Sequence, residues 1–130
     1  MFLDSYNRRG MSEYITANFR RSEYQCQCGC GRDDIKDDLA RRVQEVRNLV
    51  GQSITVTSGV RCEEHNADVG GSDTSSHVGG WAADLRCDNS AHRQRLLAAV
   101  FQVFDRVGIA KTFIHVDVDT NKPAAICWVY

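Results

Sequence analysis

The sequence predicts an α+β fold in which helices pack on one face of a mostly antiparallel sheet. Two long segments carry hydrophobic residues at three- and four-residue steps, and this spacing is typical of amphipathic helices. Short runs rich in β-branched residues lie between and after them, and these favour strands. Because the 130 residues contain no repeat, linker or low-complexity segment, we expect a single domain over residues 1–130.

The first predicted helix starts after Asp33 or Asp34, either of which can cap it, and ends at Gly51. Its hydrophobic positions are Ile35, Leu39, Val43, Val46, Leu49 and Val50. Residues 1–24 precede it and are polar with scattered aromatic residues. We therefore expect an irregular lead-in that lays some of its aromatic rings on the core.

The second half of the chain alternates predicted strands with a second long helix, which carries Leu96, Leu97, Val100, Val103 and Phe104. The predicted elements after the first helix are a strand at 54–57, a short helix or turn at 63–69, a Gly- and Ser-rich loop at 70–80, a strand at 82–86, a helix capped by Asn89 or Ser90 and ended by Gly108, a strand at 112–118, a turn at 120–123 and a strand at 124–129.

Composition excludes several partners. The net charge of −1 gives no strong attraction to nucleic acid or to an anionic membrane. No apolar run approaches the roughly 18 residues that span a membrane, so we expect no membrane insertion. The N-terminal residues lack the apolar core of a secretory signal, which predicts a chain without an export signal. We expect a monomer.

Six cysteines are many for this length, and three interpretations remain open. Cys26, Cys28 and Cys30 form C-x-C-x-C, whereas the other three are scattered. Reduced thiols are the usual state in the cytosol. Disulfides are a second interpretation, but six cysteines allow many pairings that sequence does not distinguish. A structural metal is the third, although C-x-C-x-C lacks the C-x-x-C spacing of zinc fingers.

The segment 58–85 is the most informative stretch, because it places His77 and Asp84 seven positions apart among several glycines. A further histidine, His115, follows in the predicted strand at 112–118. Two imidazoles and one carboxylate suit a zinc ion that keeps a fourth position open for water. Since side chains alternate along a strand, Phe113, His115 and Asp117 should share one face, which we expect to line the cleft.

These residues, taken with their neighbours, resemble the zinc D-Ala-D-Ala carboxypeptidase family of bacterial and phage peptidoglycan peptidases. That family shares its fold with the Hedgehog signalling domain and lysostaphin. The resemblance covers about residues 35–128 and is greatest to the branch with a His-Val-Asp strand followed by a tryptophan strand. The matching positions are Ser58-Gly59-Val60-Arg61, His65-Asn66, Gly70-Gly71, Ser75-Ser76-His77, Gly80, Ala82, Asp84 and His115.

The resemblance implies a Zn²⁺ ion held by His77, Asp84 and His115. It also implies that Arg61 binds the substrate carboxylate or the developing oxyanion, because a guanidinium binds carboxylates through two parallel hydrogen bonds. The alternative for Arg61 is a salt bridge to a nearby acidic residue: Glu63, Glu64 or Asp68. Ser75 corresponds to a position that contacts substrate or orients the histidine loop, and a simple turn serine is its alternative.

Two further histidines have structural interpretations. His65 is expected to support the loop together with Asn66, whereas His92 begins a helix and is expected to be solvated.

The general base is the point at which the chain departs from many members of this family, which carry an acidic residue three positions before the last ligand. Thr112 stands there in this chain. Asp117 is the best local substitute, since it shares a strand face with His115. It could equally be a partner that orients an imidazole.

The resemblance therefore implies a zinc peptidase that cuts D-amino-acid bonds in peptidoglycan stem peptides, as a carboxypeptidase or as an endolysin-type endopeptidase. Without an export signal, such an enzyme would stay in the cytoplasm until lysis or travel with a phage particle. One alternative is a catalytically inactive zinc-containing module of the same fold that binds wall peptide or a protein. A cysteine-based redox or metal-storage protein is a third, which no C-x-x-C supports.

Overall fold

A computed structural model describes residues 13–130 and confirms the α+β class, with helices packed on a mostly antiparallel sheet. No helix among these residues combines the length and the apolar character needed to cross a membrane. The strands are β1 (Tyr14–Thr16), β2 (Phe19–Arg20), β3 (Val56–Ser58), β4 (Ala82–Arg86), β5 (Arg106–Ile109), β6 (Phe113–Asp117) and β7 (Ile126–Val129). The helices are α1 (Asp37–Val50), α2 (Glu63–Asp68) and α3 (Ser90–Val103), with a 3₁₀ turn at Arg21–Tyr24.

The main sheet has five strands in the order β3-β4-β6-β5-β7. All its pairs are antiparallel except β5 with β7, which run parallel. The central pair β4–β6 sets Asp84 opposite His115 and Leu85 opposite Ile114. Because neighbouring residues on a strand face opposite ways, this register sends one polar pair to one face and one apolar pair to the other.

The apolar face of the sheet packs against α1 and α3, which also contact each other. The fully buried side chains of this core include Leu39, Val43 and Val46 from α1, Leu96 and Val100 from α3, and Leu85, Val107, Ile114 and Val116 from the sheet. Burying each such side chain contributes about 1.5–3 kcal/mol. The polar face, with Asp84, His115 and Asp117, is thereby fixed in place by the core behind it.

Residues 13–24 are more regular than the expected lead-in, because β1 and β2 form a hairpin followed by the 3₁₀ turn. The backbone amide of Asn18 in this hairpin donates to the side chain of Gln44 on α1 (2.8 Å). Phe19 and Tyr24 are buried in the core, as expected of the lead-in aromatics, whereas Tyr14 is exposed. Phe2 and Tyr6 lie outside the described residues.

Helix α1 starts later than predicted, since Lys36 rather than an aspartate precedes its first residue and no side chain caps it. The Lys36 amide instead donates to the carbonyl of Gly80 (2.9 Å), which draws the chain away from helical geometry before Asp37. The acidic Asp37 and Asp38 in the first turn suit the positive end of the helix dipole. Gly51 ends the helix in the left-handed conformation (φ 75°), as predicted.

The second long helix ends earlier than predicted, and the residues assigned to its last turn form strand β5. Phe104 has extended backbone, and Gly108 pairs with His115 inside the sheet instead of terminating the helix. The error has a physical reason: Val100, Val103, Phe104 and Val107 continue the helical spacing into the strand. Smaller shifts affect the strand predicted at 54–57, found at Val56–Ser58, and the last strand, found at Ile126–Val129.

Candidate metal centre and active site

Three side chains converge on the polar face of the sheet: His77, Asp84 and His115. One nitrogen or oxygen from each lies within 4.8 Å of the others, and all three residues are buried. The β4–β6 register brings Asp84 and His115 together directly. His77 arrives from the loop between α2 and β4, with its Nε2 3.3 Å from Asp84 Oδ1.

The ring of His77 is oriented by the backbone around it. Its Nδ1 lies 2.8 Å from the carbonyl oxygen of Gly59, so Nε2 is the nitrogen that faces Asp84. The backbone amide of His77 donates to Ser75 Oγ (3.2 Å), and its carbonyl accepts from the Arg61 amide (3.1 Å). Ser75 thus contacts the histidine loop, one of the two roles considered for it.

Glycine is required at position 59. A Cβ added there would lie 2.5 Å from the Tyr24 carbonyl oxygen, closer than real Cβ contacts. The Gly59 carbonyl can therefore meet the His77 ring only because the backbone packs this closely on Tyr24.

His115 faces Asp84 with its Nδ1, whereas His77 faces Asp84 with its Nε2. Its Nδ1 lies 3.1 Å from Asp84 Oδ1, while its Nε2 lies 2.8 Å from Asp117 Oδ2. Asp117 is held in turn by the Nε of Arg106 (2.6 Å) and the backbone amide of Asp119 (3.1 Å), both on Oδ1. Both oxygens of Asp117 are therefore engaged, and its side chain is only 1% exposed.

The contacts within the cluster lower the pKa values of the two carboxylates and raise the pKa of His115, so each shift favours the charged form. Burial raises the pKa of Asp84, but hydrogen bonds to His115 and His77 outweigh it and bring this pKa down to about 2. Burial lowers the pKa of His115, yet its two carboxylate partners raise it above the ordinary histidine value. Burial raises the pKa of Asp117, which its bonds to His115 and Arg106 nevertheless hold below the ordinary value. The two carboxylates are thus ionised at neutral pH.

This donor set fits a zinc ion. Zinc accepts imidazole nitrogen and carboxylate oxygen, and three protein ligands leave one position for water or substrate. The partners on the far nitrogens also fit, because metal-binding histidines usually donate their other ring N–H to a carbonyl or a carboxylate. Gly59 O and Asp117 Oδ2 are such partners for His77 and His115. His77, Asp84 and His115 would hold the ion.

Arg61 lies at the edge of the cluster. Its Nη2 is 3.8 Å from Asp84 Oδ2, and its Nη1 donates to Asn66 Oδ1 (3.1 Å). The ion pair of Arg61 is therefore with Asp84 rather than with the acidic residues of α2. A contact of 3.8 Å is too long for a good hydrogen bond, so the guanidinium keeps donors for a ligand.

Asn66 supports the loop that we expected His65 and Asn66 to support together. The buried Asn66 side chain donates to the Ser72 carbonyl (2.8 Å) and accepts from Arg61. A Cβ at Gly71 would collide with this side chain, so a glycine is needed there. His65 contributes through its backbone, since its amide donates to the Cys62 sulfur (3.3 Å) and its carbonyl accepts from the Val69 amide (3.0 Å). His92 is partly buried beside Asp88 instead of solvated.

A cavity of about 360 Å³ opens onto the cluster. This volume lies at the lower end of the range for small-ligand sites. Its lining includes the three candidate ligands, Arg61, Ser75 and Asp117, together with the rings of Phe113, Trp128 and Tyr130. A larger cavity of about 570 Å³ near α1 and α3 contains none of the candidate ligands. The candidate ligands therefore identify the smaller of these two cavities as the candidate active site.

Sequence reasoning placed Phe113 on the cleft face but missed Arg106 and the other two rings of the aromatic wall, Trp128 and Tyr130. Arg106 begins the unrecognised strand β5, and β5 pairs with β7 so that Gly108 lies beside Trp128. The Trp128 ring centroid lies 5.3 Å from that of His115. One signal was available in the sequence, since the short run Val107-Gly108-Ile109 lies directly before the predicted strand at 112–118 and could pair with it as a hairpin.

Three other acidic residues that could act as a general base, Glu63, Glu64 and Asp105, do not line this cavity. Glu63 and Glu64 are exposed on α2, and Asp105 lines the other cavity. Among the described residues that line the cavity at the cluster, the only carboxylates are Asp84 and Asp117.

The fold and the His77–Asp84–His115 group agree with the class that the family comparison gives, a metal-dependent peptidase. The family model described as Peptidase M15 matches residues 14–117, and the chain belongs to this family. The matched region contains all three candidate ligands, Arg61 and Asp117. No curated protein matches the chain significantly.

Proposed function

We propose that this member of the Peptidase M15 family is a zinc-dependent enzyme that hydrolyses D-amino-acid-containing bonds in peptidoglycan stem peptides. The observation that carries the proposal is the buried His77–Asp84–His115 cluster at the base of a cavity that also contains a guanidinium. Delivery to the wall by lysis or by a phage particle is part of the same proposal.

Zinc, when bound, supplies a Lewis acid that polarises the scissile carbonyl and lowers the pKa of a water molecule. The chain contributes the binding and orientation of the substrate. Arg61 faces the cavity with donors that its long contact to Asp84 leaves free, and it can bind a terminal carboxylate or a developing oxyanion. The rings of Phe113, Trp128 and Tyr130 give the peptide an apolar wall.

Asp117 is proposed first as a positioning residue for His115. Its Oδ2 holds the His115 Nε2, and Arg106 fixes its Oδ1, an arrangement that orients a metal-binding imidazole. A role as general base would require Asp117 to release one of these partners and accept a proton despite its lowered pKa. That role stays a prediction, which the Asp117→Asn variant separates from positioning.

One observation favours a second candidate, a wall-peptide-binding module without catalysis. Both carboxylates that line the cavity among residues 13–130 are engaged by histidines or arginines, and neither is free to accept a proton from water. The residue at the usual acidic position, Thr112, contributes a carbonyl to the Cys87 amide (2.9 Å). Such a module would bind zinc and peptide yet leave the peptide intact.

The deciding experiment incubates the zinc-loaded full chain with a stem pentapeptide ending in D-Ala-D-Ala and with cross-linked wall fragments. Mass spectrometry then identifies the products. We expect hydrolysis by the wild type, none by His77→Ala and unchanged hydrolysis by His92→Ala, a histidine outside the cavity. Peptide binding without cleavage would select the binding module. Absence of both zinc binding and cleavage would overturn the proposed function.

A further inference from the structure

A second group of metal-ligating side chains lies outside the cavity. Three cysteines of the C-x-C-x-C segment, Cys26, Cys28 and Cys30, meet Cys62, which directly follows Arg61. Their four sulfur atoms lie within 4.8 Å of one another. The Cys26–Cys28 sulfur distance is 3.5 Å and the Cys28–Cys62 distance is 3.6 Å. The remaining cysteines, Cys87 and Cys127, are not part of this cluster.

Two features of the backbone bring these sulfurs together. The loop 26–32 closes on itself, because the Cys26 amide donates to the Arg32 carbonyl (2.7 Å). Gly29 (φ 88°) and Gly31 (φ 91°) supply the left-handed turns that let alternate cysteines face inward. Cys62 reaches the same point because the Val60 amide donates to the Tyr24 carbonyl (2.8 Å), which draws the two segments together.

We propose that Cys26, Cys28, Cys30 and Cys62 bind a structural zinc ion, distinct from the one in the His77–Asp84–His115 site. Four thiolates around tetrahedral zinc, with Zn–S bonds of about 2.3 Å, place their sulfurs about 3.8 Å apart. The sulfur distances of 3.5 and 3.6 Å are close to this value. Soft thiolates favour zinc over magnesium or calcium. With four protein ligands the site is closed, and closure is typical of a structural zinc.

A disulfide interpretation fits this geometry less well. A disulfide needs sulfurs about 2.05 Å apart and joins cysteines in pairs. The four thiols here are free and converge on one point. The objection that C-x-C-x-C lacks finger spacing no longer applies, because the fourth ligand comes from a segment distant in sequence.

Hydrogen bonds to the sulfurs support the same assignment. The backbone amide of Cys62 donates to the Cys26 sulfur (3.4 Å), and the amide of His65 donates to the Cys62 sulfur (3.3 Å). Amide donors stabilise a thiolate more than a thiol, because the thiolate carries the negative charge. Binding of the ion would release the protons of the thiols that are still protonated.

The position of the cluster indicates which segments the ion would hold together. Arg32, which closes the cysteine loop, donates from its side chain to the Val78 carbonyl (2.8 Å), next to His77. Cys62 is joined covalently to Arg61. A zinc ion on the four cysteines would therefore tie the lead-in loop to the two segments that carry the cavity arginine and a ligand of the other site.

The test measures bound metal in the full chain, purified under reducing conditions and loaded with zinc alone. We expect two zinc ions per wild-type chain and one in either Cys28→Ser or His77→Ala. The matched control is Cys127→Ser, an exposed cysteine outside the cluster, which should keep two. Because the His77→Ala and Cys28→Ser losses are separate, failure of this proposal is distinguishable from failure of the proposed function.

Cobalt gives a second readout that does not depend on how well a variant folds. Co²⁺ bound to thiolates shows strong near-ultraviolet charge-transfer absorption, which a site of two histidines and an aspartate lacks. We expect these bands in the wild type and in His77→Ala. Their absence from the wild type would overturn the proposal. So would two zinc ions in Cys28→Ser, or a titration showing fewer than six free thiols in the denatured, metal-stripped chain kept without reductant.

Discussion

Asp117 connects the buried His115 to Arg106, and its replacement distinguishes positioning from catalysis. In Asp117→Asn, we expect zinc affinity to fall roughly 10- to 100-fold, because the carboxylate that orients His115 is lost. If Asp117 is instead the general base, the rate should fall by about two to four orders of magnitude with zinc retained. Competition with a chelating dye measures affinity, and hydrolysis at saturating zinc measures rate.

The matched control for this variant is Asp105→Asn, an exposed carboxylate on the same segment as Arg106. It should change neither quantity. Normal affinity together with a normal rate in Asp117→Asn would remove Asp117 from the site.

Asp84 makes the stability of the metal-stripped protein depend on pH. Its folded pKa of about 2 lies below the unfolded value, so its ionised form stabilises the fold above about pH 4. This contribution, on the order of 2 kcal/mol, is lost as the pH falls through the folded pKa. The raised pKa of His115 acts in the opposite sense, since it stabilises at low pH and loses its effect as pH rises past the folded value.

We therefore expect the difference in unfolding free energy between wild type and Asp84→Asn to be larger near pH 5 than near pH 3. Urea unfolding of the chelator-treated proteins measures this difference at each pH. A difference that stays constant across this range would mean that the hydrogen bonds to His77 and His115 do not depend on the charge of Asp84.

At the scale of elements, the packing of β5 against β7 places Trp128 over Gly108. A Cβ at Gly108 would lie 2.6 Å from the Trp128 Nε1, so the ring must move if the residue grows. We expect Gly108→Ala to destabilise the fold by about 1–3 kcal/mol and to displace the aromatic wall, which lowers hydrolysis as well. Urea unfolding and near-ultraviolet circular dichroism measure the two effects.

The control for backbone effects is Gly51→Ala, at the left-handed end of α1, where a Cβ meets nothing within 4 Å. It should cost about 1–2 kcal/mol through the unfavourable φ alone and leave hydrolysis and the aromatic signal unchanged. Equal effects of both variants on hydrolysis would show that general destabilisation, rather than Trp128, is responsible.

The elements that sequence predicted well are those whose pattern is local. Strand β6 follows from its β-branched residues Ile114 and Val116, and the start of α3 follows from its Asn89 cap. Strand β5 was missed because Val107 continues the spacing of α3, and only pairing with β6 decides that it is extended. The start of α1 was misplaced because a tertiary hydrogen bond from Lys36 to Gly80 decides it.

At the scale of the molecule, the candidate site also contains some residues that the sequence could predict and others that it could not. The residues His77, Asp84, His115 and Arg61 could be named from their motifs, and the fold brings them to one cavity from two strands and two loops. Arg106 could not be assigned because its strand was predicted as the end of a helix, and Cys62 could not because its partners lie in a segment distant in sequence. A pattern within one segment indicates which residue types are present, while the fold decides which of them meet.

The choice between carboxypeptidase and endopeptidase depends on how the whole cavity receives a chain end. If Arg61 binds the terminal carboxylate, amidation of the pentapeptide should slow the wild type, and Arg61→Lys should slow hydrolysis of the free acid at least about tenfold, or roughly 1.4 kcal/mol. The two changes should not add, because each removes the same interaction. Values of kcat/KM for both enzymes on both peptides measure this coupling.

Additive losses would instead place Arg61 on the developing oxyanion, where it acts on any scissile carbonyl. An amidated peptide cut as fast as the free acid would favour an endopeptidase, since an internal bond offers no terminal carboxylate to recognise. The wild-type rate in Arg61→Lys on both peptides would contradict either role and leave Arg61 as a partner of Asp84 and Asn66. Arg86→Lys, an exposed arginine paired with Asp88 outside the cavity, is the control and should match the wild type.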